Sequence, residues 1–193
     1  MKNDIILAGV GGQGILSIAA AIGIAAVNSK LYIKQSEIHG MSQRGGDVQS
    51  HLRISDKPIA SDLIPAGKAD LIISIEPMEG LRYLPFLSAT GWLVTNVNPF
   101  INIPDYPNAD ELLNQIKNVR KHIAIDADAI AKEAGSSRSS NIVMLGAASP
   151  FIDIPFEKIE EGIRQLFGKK GEDVVELNLK AFRMGRAFSE KNR

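Results

Sequence analysis

Gly9, Gly11 and Gly14 stand at the spacing G-x-G-x-x-G within GVGGQG, directly after the apolar run Ile5-Ile6-Leu7 and directly before ILSIAAAIGIAAV. Between a strand and a helix this spacing has a physical use. The first glycine turns the chain, the second lets backbone approach a bound group, and the third lets the helix pack closely. The helix start offers unpaired N–H groups at the positive end of its dipole, which suits an anion. Gly9, Gly11, Gly12, Gln13 and Gly14 are thus candidates for a phosphate loop, although a close strand-to-helix crossover needs the same glycines with nothing bound. Ile15-Leu16 occupies the place where a Walker A loop requires Lys and Ser or Thr, which argues against an ATPase or kinase of that class.

The second group of chemically able residues is SEIHGMSQRGGD. Glu37 closes a strand read over residues 31–36 and lies 23 residues beyond Gly14, near where a dinucleotide-binding fold places its ribose carboxylate. His39, Gly40, Met41, Gln43, Arg44, Gly45 and Gly46 follow as a dense polar loop. Arg44 offers a planar fork of donors for a carboxylate or phosphate, His39 can change charge near neutral pH, and paired glycines mark a turn or a close backbone approach. This loop is expected to lie beside the glycine loop and to face a partner or an active site; the bland alternative is a solvated Glu37–Arg44 pair. GMSQRG misses the G-x-S-x-G nucleophile spacing by one residue, and His39, His51 and His122 show no metal-ligand spacing. No catalytic residue and no metal site is assigned.

The elements that must carry these groups read as an α/β chain. Residues 15–27 form an apolar helix, read as buried and shorter than the ~20 residues that span a bilayer. In VQSHLRIS, Val48, Ser50, Leu52 and Ile54 alternate with Gln49, His51 and Arg53, which predicts a half-exposed edge or antiparallel strand. LIISI, WLVTN and HIAID read as further strands, and MEGLRYLPFL as a short helix broken near Pro85. NADELLNQIKNV, with Asn108 as N-cap, is an amphipathic helix, and Asp126 or Asp128 caps the next one. GSSRSS is a loop and NIVMLGAAS a helix with a small-residue face. Pro155 opens a helix carrying Phe156, Ile159, Ile163 and Leu166. The last helix shows a stripe of Val174, Leu177, Ala181, Met184 and Phe188, read as core or an oligomer seam. The expected fold is a Rossmann-like open, mostly parallel sheet flanked by helices, with a C-terminal helical extension, in one domain over residues 1–193.

Composition narrows the function classes. Lys plus Arg equals Asp plus Glu, 22 each, so there is no net field to hold nucleic acid. The absence of cysteine removes thiolate nucleophiles and cysteine-ligated iron–sulfur clusters from this chain. Asp4 and the glycine loop interrupt the N-terminal apolar region, so it does not read as a signal peptide; a cytoplasmic protein with no membrane contact is expected.

Taken together, GVGGQGILSIAAAIG and SEIHGMSQRGGDVQSHLRIS, with EPMEGLRYLPFL, NIVMLGA and NLKAFRMG, resemble the gamma-type domain of the 2-oxoacid:ferredoxin oxidoreductases over nearly the whole chain. The HGMSQRGG loop carries the resemblance to the branch acting on indolepyruvate. The resemblance implies a subunit of an enzyme that converts an aryl 2-oxoacid and CoA to the acyl-CoA, carbon dioxide and reduced ferredoxin. It places thiamine diphosphate, magnesium and [4Fe-4S] clusters on a large alpha subunit, with ferredoxin met through the holoenzyme and CoA as cosubstrate. No cofactor is assigned to this chain, and the isolated subunit is expected to be inactive. A gamma subunit for pyruvate, 2-oxoglutarate or a branched-chain oxoacid stays open, as does a stand-alone NAD(P)-binding oxidoreductase resting on the glycine loop and Glu37.

Overall fold

The computed structural model describes residues 1–39 and 45–193. In chain order it contains β1 (Lys2–Val10), α1 (Ile15–Asn28), β2 (Tyr32–His39), β3 (Asp47–Ser55), β4 (Ala69–Ser74), α2 (Pro77–Arg82), β5 (Leu87–Asn96), α3 (Ala109–Lys117), β6 (His122–Ile125), α4 (Ala127–Ala134), α5 (Ser140–Ala148), α6 (Phe156–Phe167) and α7 (Glu172–Asn192). The strands form one sheet in the order β2-β3-β1-β4-β5-β6. β1, β4, β5 and β6 pair in parallel, while β3 is antiparallel to both of its neighbours. The fold is the Rossmann-like, mostly parallel sheet with C-terminal helices that the sequence predicts.

Every residue of β1 after Lys2 is buried, as its place inside the sheet requires. One face carries the larger core, where Ile5, Leu7, Leu52 and Ile54 meet Ile18 and Ile22 of α1. The opposite face carries a smaller one, with Ile6, Ile72 and Leu93 against Ile116 of α3. Each such side chain contributes roughly 1.5–3 kcal/mol of burial. The reading of α1 as a buried helix holds for its inner side, while Leu16 and Val27 are 54% and 62% exposed.

Two strand readings are also corrected. β3 is antiparallel but interior, because β2 rather than β3 takes the sheet edge. Its polar alternates are not a solvent face: Gln49 and His51 are buried, and Arg53 grips the buried carboxylate of Asp4 through Nε at 2.8 Å and Nη2 at 3.1 Å. β2 continues to His39 and pairs Glu37 with Ser50, so Glu37 lies inside the strand and not at its end.

Local chemistry accounts for the helix boundaries. Asn108 accepts from the N–H groups of Asp110 and Glu111 to start α3, and Asp126 accepts from Ala129 to start α4. α5 and α7 cross closely: a Cβ at Gly146 would land on the Phe182 carbonyl, and one at Gly185 on the Val143 carbonyl. The buried line of α7 therefore runs through Asn178, Phe182, Gly185 and Ser189. Of the expected stripe only Ala181 is buried, and Val174, Leu177, Met184 and Phe188 flank the contact. Among the described residues no helix is long and apolar enough to cross a membrane.

Candidate functional site

β1 leaves the sheet through α1 on one face, and β4 leaves through α2 on the other. The carboxyl ends of β1 and β4 thus border the crevice where open α/β sheets bind ligands. The glycine loop fills its rim. The left-handed residues are Gly12 (φ 102°) and Gly14 (φ 83°), while Gly9 remains within β1. The turn thus rests on Gly12, between the motif's second and third glycines, and on Gly14, correcting the role given to Gly9. Gln13 is used internally: its Oε1 accepts from Val10 N–H at 2.8 Å. Asn141 Nδ2 donates to the Gly14 carbonyl at 3.1 Å and would collide with a Cβ there, so Gly14 serves the α5 contact. α1 has no side-chain cap and no acidic residue in its first turn, which leaves its positive end uncompensated.

Two cavities flank this loop. One, of about 480 Å³, is walled by Val10, Ile15, Leu16 and Val48, with Glu37 the one charged group among the described residues that line it. The other, of about 420 Å³, lies toward α5 and α7 and is lined by Ser17, Arg138, Ser139, Lys170 and Asn178 beside Gly12. Ser139 is 3% exposed and Asn178 6% exposed. Asn178 Nδ2 donates to the Val174 carbonyl at 2.7 Å. Two cations, serine hydroxyls and an uncapped helix start border this cavity, the groups that an anion site uses.

The β2–β3 hairpin closes over the same rim. Gly11 N–H donates to the Gly46 carbonyl at 2.8 Å, and Gly45 N–H to the Gly11 carbonyl at 3.3 Å. The backbone that approaches Gly11 is therefore the chain's own hairpin. Gly45 is left-handed at φ 77°, and Asn102 Nδ2 donates to its carbonyl at 2.7 Å. Glu37 reaches the first cavity, and His39 pairs with Val48 at the hairpin base. Gly40, Met41, Gln43 and Arg44 lie outside the described residues.

Behind the hairpin, α2 gathers acidic groups that the sequence reading passes over. Glu76 caps α2, with Oε2 accepting from Glu79 N–H at 2.9 Å and Oε1 accepting from Phe100 N–H at 3.3 Å and from the Tyr106 hydroxyl. Glu79 binds Arg82 Nε at 2.7 Å, and Tyr83 donates to Asp47 Oδ2 at 2.6 Å. Burial pushes the Glu79 carboxyl up to about 7 against the pull of Arg82, with Asp47 raising it further. Burial and the Asp47 carboxylate likewise push the Tyr83 hydroxyl upward. No group of three or more potential metal ligands occurs among the described residues.

Sequence reasoning passes over Arg138 and Lys170, which line the second cavity. Their signal is a single cation in GSSRSS and a Lys pair in GKKG, and only the fold carries either to Gly12.

Residues 4–188 match the family model described as pyruvate ferredoxin/flavodoxin oxidoreductase. The chain is 38% identical over 194 aligned residues to the indolepyruvate oxidoreductase subunit IorB of Archaeoglobus fulgidus, covering 96% of this chain and 94% of that one. It is 36% identical to the subunit of the same name in Thermococcus kodakarensis, covering 95% and 94%. The 2-oxoglutarate synthase subunit KorC of Methanothermobacter marburgensis is more distant, at 27% identity over 96% of each chain. Among solved structures, the keto/oxoacid ferredoxin oxidoreductase gamma subunit of Geobacter sulfurreducens superposes with a TM-score of 0.73 at 24% identity, over 98% of this chain and 99% of that one. The 2-oxoglutarate:ferredoxin oxidoreductase of Magnetococcus marinus gives 0.76 at 24% identity, and this chain spans 31% of that polypeptide's length.

Proposed function

Because the chain belongs to the pyruvate ferredoxin/flavodoxin oxidoreductase family, we propose that it is the small subunit of an indolepyruvate-type 2-oxoacid:ferredoxin oxidoreductase. The observation that carries this reading is the 36–38% identity, over almost the full length of both partners, to indolepyruvate oxidoreductase subunits. The oxidation belongs to a large partner subunit. With no cysteine this chain has no thiolates for a [4Fe-4S] cluster, and it has no diphosphate motif of the kind that thiamine enzymes use. Its own residues would bind, orient and close.

The residues around the second cavity fit the phosphates of CoA, whose thiol accepts the acyl group. Arg138 and Lys170 supply charge, Ser139 supplies a hydroxyl donor, and the start of α1 supplies backbone donors. The apolar first cavity, on the other side of Gly12 and Gly14, would leave room for an uncharged portion of a bound molecule. The hairpin around Gly45 and Gly46 and the loop holding Asn102 stand on the same edge and would face the large subunit.

The test is reconstitution with the large subunit, followed by CoA-dependent ferredoxin reduction with indolepyruvate, pyruvate and 2-oxoglutarate. A higher kcat/KM for indolepyruvate is expected, and preference for either other acid overturns the substrate assignment. In the same assay, replacing both Arg138 and Lys170 by Ala should raise the KM for CoA at least about tenfold, equivalent to ~1.4 kcal/mol, and leave the KM for the oxoacid unchanged. An unchanged KM for CoA removes the second cavity from the reading.

A further inference from the structure

The sheet edge taken by β2 is long, regular and open. Its eight residues pair with β3 without a break in register, contain no proline, and have no strand on their other side among the described residues. Such an edge presents a row of backbone donors and acceptors to any strand that meets it, and edges left in water are usually shortened, bulged or charged. Lys34, the only lysine of β2, is drawn aside instead: its Nζ donates to the Ala60 carbonyl at 3.0 Å. Tyr32 and Ile38, toward the two ends of the strand, are 51% and 53% exposed. The helix beside this edge is apolar on its open flank. α6 packs against one side of α1, where a Cβ at Gly162 would land on the Ala21 carbonyl. A turn of about 100° per residue puts Leu16, Ala20, Gly23 and Val27 on the other side. There Gly23 stands against β2, since a Cβ on it would lie 3.4 Å from Ile33 Cδ1, and none of the four is fully buried.

We propose that a second copy of this chain covers this edge, β2 against β2 across a two-fold axis, so that one sheet runs through both copies with their α1 helices side by side. The strand is complementary to itself. In a closed antiparallel pair the axis passes through one residue, which faces its own copy, and every other residue faces the one equally far on the opposite side. With Gln35 on the axis, Tyr32 faces Ile38 of the second copy at both ends, which covers the two exposed apolar side chains together. Lys34 then faces Ser36 and Ile33 faces Glu37, so no like charges meet. Moving the axis to Lys34 would oppose two lysines, and moving it to Glu37 two glutamates. An axis at Ser36 would part Tyr32 from Ile38.

Both layers of the molecule take part. Ile33, Gln35 and Glu37 share the α1 face of β2, while Tyr32, Lys34, Ser36 and Ile38 share the opposite face. An amide both donates and accepts, so Gln35 suits its own copy on the axis. Above it, Ala20 and Gly23 are the smallest residues of the open flank of α1 and leave room for the second α1, and that flank carries no charge to repel its copy. The inference rests on neither the substrate nor the CoA assignment, and its test uses the full chain alone.

The experiment is sedimentation velocity joined to disulfide trapping. In the micromolar range the wild-type chain should sediment as a dimer. Tyr32→Lys, which sets a charge against Ile38 of the second copy, should weaken that dimer at least about tenfold and leave the far-UV circular dichroism unchanged. The chain has no cysteine of its own, so a single introduced thiol reports the register. Gln35→Cys should link to its own copy on mild oxidation, because facing Cβ atoms lie ~4.5–5.5 Å apart. Glu37→Cys, two residues from the axis and therefore four from its own copy, should not link. A wild-type chain that stays monomeric overturns the proposal, and a monomer whose affinity for the large subunit falls with Tyr32→Lys gives the edge to that subunit instead. A dimer that Tyr32→Lys leaves intact also overturns it, as does one in which Glu37→Cys links as readily as Gln35→Cys. Should Tyr32→Lys fail to fold, the wild-type sedimentation and the two cysteine variants still decide.

Discussion

His51 shows how a single side chain can be polar in the sequence and structural in the molecule. It is 3% exposed; its Nδ1 accepts from Ile64 N–H at 2.9 Å, and Phe86 meets the ring edge-on at 5.4 Å. With Nδ1 accepting, the neutral ring carries its hydrogen on Nε2, so the Gln49 amide beside it must present its oxygen. Burial, the largest cause, holds the His51 pKa below the ordinary 6.5; Arg53 lowers it further and Asp62 opposes. The sign follows from proton counting. Below 6.5 the unfolded chain takes up a proton that the folded ring refuses, so this contribution is complete above 6.5 and drains away as pH falls toward the folded pKa. Glu79 acts in the other direction, losing stability as pH rises from 4.5 to about 7. His51→Asn keeps an acceptor for Ile64 and removes the titration. Urea unfolding should therefore show wild-type stability falling, relative to His51→Asn, between pH 6.5 and 5. Curves that stay parallel would mean that His51 is charged in the fold or irrelevant to it.

Among the elements, patterning showed where the strands and helices lie and hid how two of them are used. The alternation in VQSHLRIS indicated an antiparallel strand, but period two cannot separate a polar face that meets water from one that meets Ile64 and Phe86. In α7 a count of apolar residues selects Val174, Leu177, Ala181, Met184 and Phe188. The contact turns instead on Gly146 and Gly185, which contribute almost no hydrophobicity but admit α5 and α7 to backbone contact. Close approach is thus the main determinant of the α5–α7 contact, and a single methyl group should disturb it. Gly146→Ala places that methyl on the Phe182 carbonyl, where no rotamer relieves it, and should destabilise by about 2 kcal/mol or more. For a chain of this size that corresponds to roughly 4–8 °C in Tm. Gly168→Ala, with open space around its Cβ, serves as the control and should melt as the wild type does. Equal melting of the two variants would show that the helices separate at little cost.

At the scale of the whole molecule, the glycine loop and the hairpin glycines were legible because turns and backbone contacts are local properties of glycine. Arg138 and Lys170 were not, since nothing in a distant loop announces that α5 and α7 will bring it beside Gly12. The same reasoning applies to the surface. The loop between β5 and α3 presents Phe100, Ile101 and Ile103 at 44%, 72% and 43% exposure. Phe100 N–H is pinned to Glu76, and Asn102 to Gly45, so these apolar side chains stand beside the hairpin and glycine loop on a braced segment. An apolar cluster on braced backbone next to a ligand crevice marks an interface, and a large subunit that closes over the crevice would cover it. Ile101→Asp separates an interface role from a folding role, because a side chain 72% exposed contributes little to the isolated fold. The variant should melt as the wild type does, yet bind the large subunit at least about tenfold more weakly, ~1.4 kcal/mol, in a titration followed by light scattering or calorimetry. Undiminished affinity would move the interface away from this edge of the sheet, and with it the proposal that the hairpin faces the partner.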